Sequence, residues 1–417
     1  MTNYKYKTTI NSSGFWAYLG VQFLGAFNDN MFKLMLICYA IGVLSKKQVN
    51  WYLPLAGAAF VLPFLLFSAY AGFLADRFSK KRVMIWTKVA EILIMLIGAI
   101  GFYYHAVWFL LFVLFCMGSQ SSFFSPAKYG FLPEVLKDED LSRGNGLTQL
   151  FTFLAIVLGG WIGGVVIAVF KTTPWHGMIF CIAIAVIGWL VSLNIYRTRP
   201  GNVRTVFQLD PFTPHWRTFK KMRKDQLLLL GLLGCSFFWM IGTFFQLMLP
   251  LILKQTLEYS DTIVGYAQAI LALGIGLGCS VAGVLSRKKI EYGLVLPGVF
   301  FIGVFTILLG ICAFHWMPIF LFAGLIGFFG GFYQLPLQST IQKRSPKNCL
   351  GSYLGAANAL DCIAMILGTV LQFLCLNIFF LGTRGAFIFC GIMVLIVSLV
   401  MMHKVPALIY RFKRMFL

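Results

Sequence analysis

The chain holds 417 residues, 59% of them apolar and 11% charged, with a mean hydropathy of +0.84 and 43 phenylalanines. Soluble domains run near half apolar and a quarter charged, so an ordinary soluble fold is excluded, as are a disordered chain and a fibrous repeat. The net charge of +21 would suggest nucleic acid on a soluble protein; in a chain this apolar it points to basic loops that set membrane topology, and no nucleic-acid partner is expected.

In chain order, polar islands divide the sequence into twelve apolar segments, at about 15–44, 52–75, 83–104, 107–128, 146–170, 176–196, 226–253, 262–286, 292–313, 317–342, 351–380 and 384–402. Each approaches the 20 or so residues that a membrane helix needs. The first is too long for a signal peptide and lacks a small-residue cleavage site, so it should stay as a span. At its middle lie Asn28, Asp29 and Asn30, with Lys33 one turn on. Charges inside a bilayer cost roughly 2.5–3.5 kcal/mol each. Asp29 reads either as a cavity-lining carboxylate for a cation or an ammonium headgroup, or as half of a packing pair with Lys33.

Spans 2 and 3 are joined by Gly72-Phe73-Leu74-Ala75-Asp76-Arg77-Phe78-Ser79-Lys80-Lys81-Arg82. Gly72 allows close helix approach, and Asp76 can accept from a neighbouring helix N-terminus, whose dipole favours an anion. Lys88 and Glu91 follow at i, i+3 and read as a pair. Gln120, Gln246 and Gln268 are polar positions that could line a cavity. Lys128, just after Pro126, could hold a lipid phosphate or cap the preceding helix. Arg143, Gly144 and Asn145 stand before span 5, whose Gly159-Gly160-Trp161-Ile162-Gly163-Gly164 offers small-residue spacing for close packing. The longest polar segment, 197–225, holds eight basic residues; it is either a contact for anionic lipid headgroups or a solvated linker. Asp361, close after Asn358, could face Asp29 or support the start of span 11.

With the N-terminus placed in the cytoplasm, 27 Lys and Arg fall on the inner side and 5 on the outer, with Lys33 and Lys88 within spans. That asymmetry supports both the count and the orientation, with both termini cytoplasmic. The sequence also repeats. Phe123-Phe124-Ser125-Pro126 ends span 4 as Phe332-Tyr333-Gln334-Leu335-Pro336 ends span 10, and Gly144-Asn145-Gly146-Leu147 opens span 5 as Gly355-Ala356-Ala357-Asn358-Ala359-Leu360 opens span 11. The expected fold is therefore all-α and membrane-embedded: twelve transmembrane helices in two pseudo-symmetric six-helix bundles, 1–196 and 226–417, joined by a basic cytoplasmic linker over 197–225. Such halves commonly form a midplane cavity and rock about it.

The 72–82 loop resembles the signature loop of the major facilitator superfamily, G-x-L-A-D-R-x-x-x-K-R. Its counterpart, Gly283-Val284-Leu285-Ser286-Arg287-Lys288-Lys289, keeps the glycine and the basic run but lacks the Asp. More narrowly, Gln22-Phe23-Leu24-Gly25-Ala26-Phe27-Asn28-Asp29-Asn30, the run Phe124-Ser125-Pro126-Ala127-Lys128-Tyr129-Gly130-Phe131-Leu132-Pro133-Glu134 and Leu141-Ser142-Arg143-Gly144-Asn145-Gly146-Leu147 resemble bacterial lysophospholipid transporters, including the transporter half of their acyltransferase and acyl-carrier ligase fusions. The resemblance implies a secondary transporter that flips lysophospholipid to the inner leaflet of a bacterial inner membrane for re-acylation. Where single-domain members carry a basic residue in span 7, this chain has Gln246. None of the five histidines begins an H-x-x-x-x-D sequence, so a separate acyltransferase is expected as partner.

Asp29, Lys33, Asn28, Asn30, Gln120, Lys128, Gln246 and Asp361 are thus the candidate substrate or ion ligands. Gly72, Asp76, Arg77, Arg82, Glu91, Pro126, Arg143, Asn145 and Asn358 are the candidate gating residues. Not an enzyme, without metal or cofactor, and a monomer is the expectation, with coupling to H+ or Na+ open. The alternative reading is a facilitator for another amphipathic or anionic solute, such as a drug or carboxylate siderophore.

Overall fold

The computed structural model describes residues 9–202, 207, 210, 212–286 and 289–404. Every long element is helical: α1 (Ser13–Val43), α2 (Lys46–Arg77), α3 (Lys80–Tyr103), α4 (Val107–Val135), α5 (Leu141–Val169), α6 (Gly177–Ser192), α7 (Phe212–Met222), α8 (Gln226–Leu251), α9 (Asp261–Leu285), α10 (Val295–Cys312), α11 (Trp316–Arg344), α12 (Leu350–Phe373) and α13 (Gly382–Lys404). Eleven of the described helices are long and apolar enough to cross a membrane; α1 is as long as these and carries the polar run at Asn28–Asn30. Only α7 is too short to span.

The ends of the helices follow local chemistry. Ser45 and Gln48 form a reciprocal capping box at the start of α2. Ser79 accepts from the Arg82 amide at 3.3 Å, and Asp225 accepts from the Leu227 and Leu228 amides at 3.1 and 3.2 Å. Several helices outrun the sequence expectation, α2 by starting at Lys46 rather than 52. α4 continues past residue 128 to Val135 with Pro126 and Pro133 inside it, and α5 begins at Leu141, so Arg143 and Asn145 are helical. A proline removes one backbone donor; in these long helices the packed neighbours hold the chain helical regardless.

The chain divides into two compact units. The first comprises residues 1–137, 154–224 and 345–359; the second comprises 138–153, 225–344 and 360–417. The core of the first unit is built from Met31, Phe32, Met35, Tyr39, Tyr52, Met95, Phe102, Leu114, Met117 and Met178. There Gly159 and Gly163 bring α5 against the backbone of α1 at Phe27 and Met31, the close approach that small residues permit without the penalty of a side chain. In the second unit α9 and α11 are the most intimate pair, through Gly274, Gly278, Gly327 and Gly331. Large apolar side chains such as Trp86, Leu93, Phe112 and Trp161 remain exposed, as lipid-facing positions do.

Each unit contains one crossing built to the same plan. In the first, Ser68 and Gly72 of α2 meet Gly355 and Gly351 of α12; in the second, Cys279 and Gly283 of α9 meet Gly146 and Ser142 of α5. The spacing of four residues along each partner is identical in both. A Cβ on Gly72 would lie 2.7 Å from the Gly351 carbonyl oxygen, and a Cβ on Gly283 would lie 2.9 Å from that of Ser142.

Candidate functional site

The polar heart of the first unit begins at α1. Asn28 is buried and its Nδ2 donates to Glu91 Oε1 at 2.8 Å. Glu91 Oε2 accepts from Lys88 Nζ at 2.6 Å and from Gln120 Nε2 at 3.5 Å, while Gln120 also donates to the Thr87 carbonyl at 3.1 Å. The Lys88 and Glu91 side chains are each 1% exposed. A buried ion pair is tolerable only when its remaining valences are met, and Glu91 meets that condition with three side-chain donors. The Lys88 stem passes glycines on two other helices: a Cβ on Gly25 would stand 2.6 Å from Nζ, and one on Gly188 would stand 3.5 Å from Cδ. The i, i+3 pair is therefore a clasp joining α3 to α1 and α4, with α6 behind it.

Asp29, the next residue, points elsewhere. Its Oδ2 accepts from Ser121 Oγ at 2.6 Å. Its Oδ1 is buried and has no hydrogen-bond partner among the described residues, a costly condition that buried polar groups rarely show. Lys33 Nζ lies 5.4 Å from the Phe60 ring centroid, and Lys128, also buried, lies 5.1 Å from that of Tyr129. Asp29 is within electrostatic reach of Lys33, Lys88 and Lys128. Asn30 donates to the Ala26 carbonyl in its own helix at 2.8 Å. A carboxylate with one open oxygen, within electrostatic reach of ammonium groups, offers chemistry for a cationic group and for an anionic one.

The second unit has its own carboxylate. Asp361 Oδ1 on α12 accepts from Ser236 Oγ on α8 at 2.7 Å. Gln246 is exposed and ten residues further along α8, about 15 Å from Ser236 along the helix; its backbone carbonyl accepts from Gln268 at 3.4 Å. The structure therefore does not bring Gln246 to Asp361.

Of the candidate gating residues, Glu91 belongs to the Lys88 clasp, and the others lie in or next to the helices of the two crossings. Asp76, 1% exposed, accepts from the Gly351 amide at 2.6 Å, the Ser352 amide at 2.8 Å and Ser352 Oγ at 2.6 Å. The acceptor sits on the first amides of α12, where unpaired N–H groups and the helix dipole both favour negative charge. Asn358 of the same helix donates to Ser125 Oγ at 2.9 Å, beside the buried Pro126. Lys80 pairs with Glu134 at 2.5 Å. Arg77 and Arg82 are exposed, over the rings of Phe73 and Trp86 at 5.6 and 5.9 Å. Beside the second crossing, Asn145 of α5 donates to Ser339 Oγ of α11 at 3.1 Å and exchanges hydrogen bonds with Gln342 of α11 at 2.7 and 2.9 Å, and Gln149 donates to Gln334 at 3.3 Å. Arg143 is exposed. Arg287, the counterpart of Asp76, lies outside the described residues.

Ser121, Ser236 and Ser352 hold these carboxylates and escaped the sequence reading, because a lone serine in a span is unremarkable. For Ser121 a signal existed: Ser119 to Ser122 is an unbroken polar run inside an apolar helix.

Residues 16–369 match the family model of the Major Facilitator Superfamily. The chain is 30% identical over 367 residues to the lysophospholipid transporter LplT of Escherichia coli O1:K1 / APEC, with 85% of each covered. It is equally similar, over 368 residues, to the one from Escherichia coli O139:H28 (strain E24377A / ETEC), with 85% of each covered. Among solved structures, the human organic anion transporter MFSD10 (TETRAN) matches with a TM-score of 0.72 at 16% identity, over 92% of this chain and 99% of that one. A variant of the Escherichia coli fucose:proton symporter FucP matches with a TM-score of 0.72 at 12% identity, over 92% and 97%. These structures share the fold; the sequence match fixes the kinship. The chain belongs to the Major Facilitator Superfamily, as a multi-pass membrane transporter and not an enzyme.

Proposed function

We propose that this transporter moves lysophospholipid, such as lysophosphatidylethanolamine, to the inner leaflet of a bacterial inner membrane by alternating access. Its two six-helix halves, 1–196 and 226–417, are joined by the basic linker, and both termini are cytoplasmic. What carries the reading is the similarity to lysophospholipid transporters over 85% of both chains. The first unit supplies chemistry that suits a zwitterionic headgroup: the open Oδ1 of Asp29 for the ammonium, with Lys33 and Lys128 within electrostatic reach for the phosphate. The gating role belongs to Asp76 and its partners on α12, and the protein works as a monomer, with a separate acyltransferase consuming the product.

Uptake of labelled lysophosphatidylethanolamine into spheroplasts with and without the protein tests this directly. Faster uptake with the protein is expected, and equal rates would defeat the reading. Uptake of a drug or a carboxylate siderophore in place of the lipid would establish the alternative. Asp29→Asn should lower uptake by about 10- to 100-fold, the worth of a hydrogen bond to a charged group, at unchanged membrane levels. Full activity in that variant would remove Asp29 from the site.

A further inference from the structure

Within 197–225, which is polar along its length, Phe212–Met222 forms a regular helix, α7. Asp210 caps it, accepting from the Phe212 and Thr213 amides at 2.8 and 3.2 Å. His215, Thr218, Phe219 and Met222 recur at helical spacing and form its covered face. His215 Nε2 lies 2.9 Å from Ser68 Oγ on α2, and Met222 is fully buried. The other face is exposed: Phe212 is 59% and Trp216 60% exposed, Arg217, Lys220 and Lys221 are exposed beside them, and Arg223 and Lys224 are exposed just past the helix end. Lys220 Nζ stands 5.4 Å from the Trp216 ring centroid.

Water explains the five cations and leaves the two aromatic rings unexplained. A bilayer surface explains both, because indole and phenyl rings settle at the headgroup level while basic groups meet lipid phosphates. The depth also fits. α2 is 32 residues long, about 48 Å against a hydrocarbon core near 30 Å. Lys46 and Lys47 open it at one interface, and Ser68, where α7 is attached, lies nine residues from its other end, roughly at the far headgroup layer.

We infer that the outward face of α7 docks on anionic phospholipid headgroups, with Phe212 and Trp216 at the acyl boundary and Arg217, Lys220 and Lys221 on the phosphates. The inference requires only a membrane-embedded chain and is independent of the transported substrate.

The test uses the full chain in vesicles of phosphatidylethanolamine and phosphatidylglycerol at fixed composition, with bromine on one lipid or on the other. Quenching of Trp216 is read as the difference between the wild type and Trp216→Phe. Stronger quenching by brominated phosphatidylglycerol is expected. Each neutralised cation should reduce that preference about five-fold, so Arg217→Gln/Lys220→Gln/Lys221→Gln should abolish it. Equal quenching by the two lipids, or none by either, overturns the proposal; the latter would assign the face to water or to an acidic macromolecule. Should the triple variant fail to reconstitute, salt decides on the wild type: a headgroup contact fades with ionic strength, and a preference that survives molar salt overturns the proposal.

Discussion

The crossing of α2 with α12 and the crossing of α9 with α5 are the same object built twice with different polar chemistry. Both let backbones touch through residues four apart, Ser68 and Gly72 on Gly355 and Gly351, Cys279 and Gly283 on Gly146 and Ser142. In the first crossing one ionised side chain, Asp76, gathers three donors from Gly351 and Ser352. Beside the second, neutral amides and a hydroxyl tie α5 to α11 instead, Asn145 with Ser339 and Gln342, Gln149 with Gln334. The steric part of the design is thus shared, and among the described residues the buried carboxylate belongs to the first copy. Shape in such a crossing leaves no room for a side chain at its glycines, whereas the polar contacts nearby can be built from other groups.

The largest effects should come from breaking what the crossings share. Gly72→Val puts a Cβ 2.7 Å from the Gly351 oxygen and 2.9 Å from Ser352 Cα; Gly146→Val puts one 2.7 Å from the Cys279 oxygen. These are backbone atoms that cannot swing aside, so each variant should lose about 2–3 kcal/mol, read as a lower unfolding midpoint in detergent. If one glycine tolerates valine and the other does not, the two crossings are not equivalent.

Next comes what they do not share. Asp76→Asn should cost about 1.5–3 kcal/mol as charged hydrogen bonds weaken, and should shift the labelling of cysteine probes placed at the two ends of the protein. Asn145→Ala should cost nearer 1 kcal/mol. Unchanged labelling in Asp76→Asn would end the idea that this contact latches a state.

The smallest effect concerns α7, which only the first unit has. Burial lowers the pKa of His215 below its ordinary value of 6.5, so the fold prefers the neutral ring. The sign follows: the His215–Ser68 attachment contributes fully at pH above the unfolded value and is lost as pH falls below it and on through the folded one. Amide exchange over 212–222, corrected for intrinsic rate, should accelerate modestly between pH 7 and pH 5 (about the range in which imidazole titrates). A flat profile would exclude the histidine as the attachment.

The spans could be read from the sequence because apolar runs of membrane length leave little else to form, and the observed helices start and stop within a few residues of the apolar segments in most cases. The exceptions are instructive. Prolines at 126 and 133 look like stops, yet α4 runs through both, since tertiary packing outweighs one missing donor. The partners of the buried carboxylates were less legible. That Asp76 wants amide donors follows from its type; that residues 351 and 352 supply them does not, because Gly351 lies 275 positions along the chain. Likewise Asp29 and Lys33 share a helix face, while the actual donor to Asp29 is Ser121, 92 residues away. Local spacing names a residue's needs; only the packed helices show who meets them.

One consequence reaches beyond this chain. Lys88 occupies a slot floored by Gly25 and Gly188, with Glu91 as its counterion. Gly25, Lys88 and Glu91 are not free to change alone: a methyl at 25 would strike the ammonium, and an uncharged residue at 88 would strand the carboxylate. Among homologous sequences these should therefore drift together, the glycine at 25 returning to larger residues wherever the lysine and glutamate have both been lost, so that three scattered letters behave as a single heritable character.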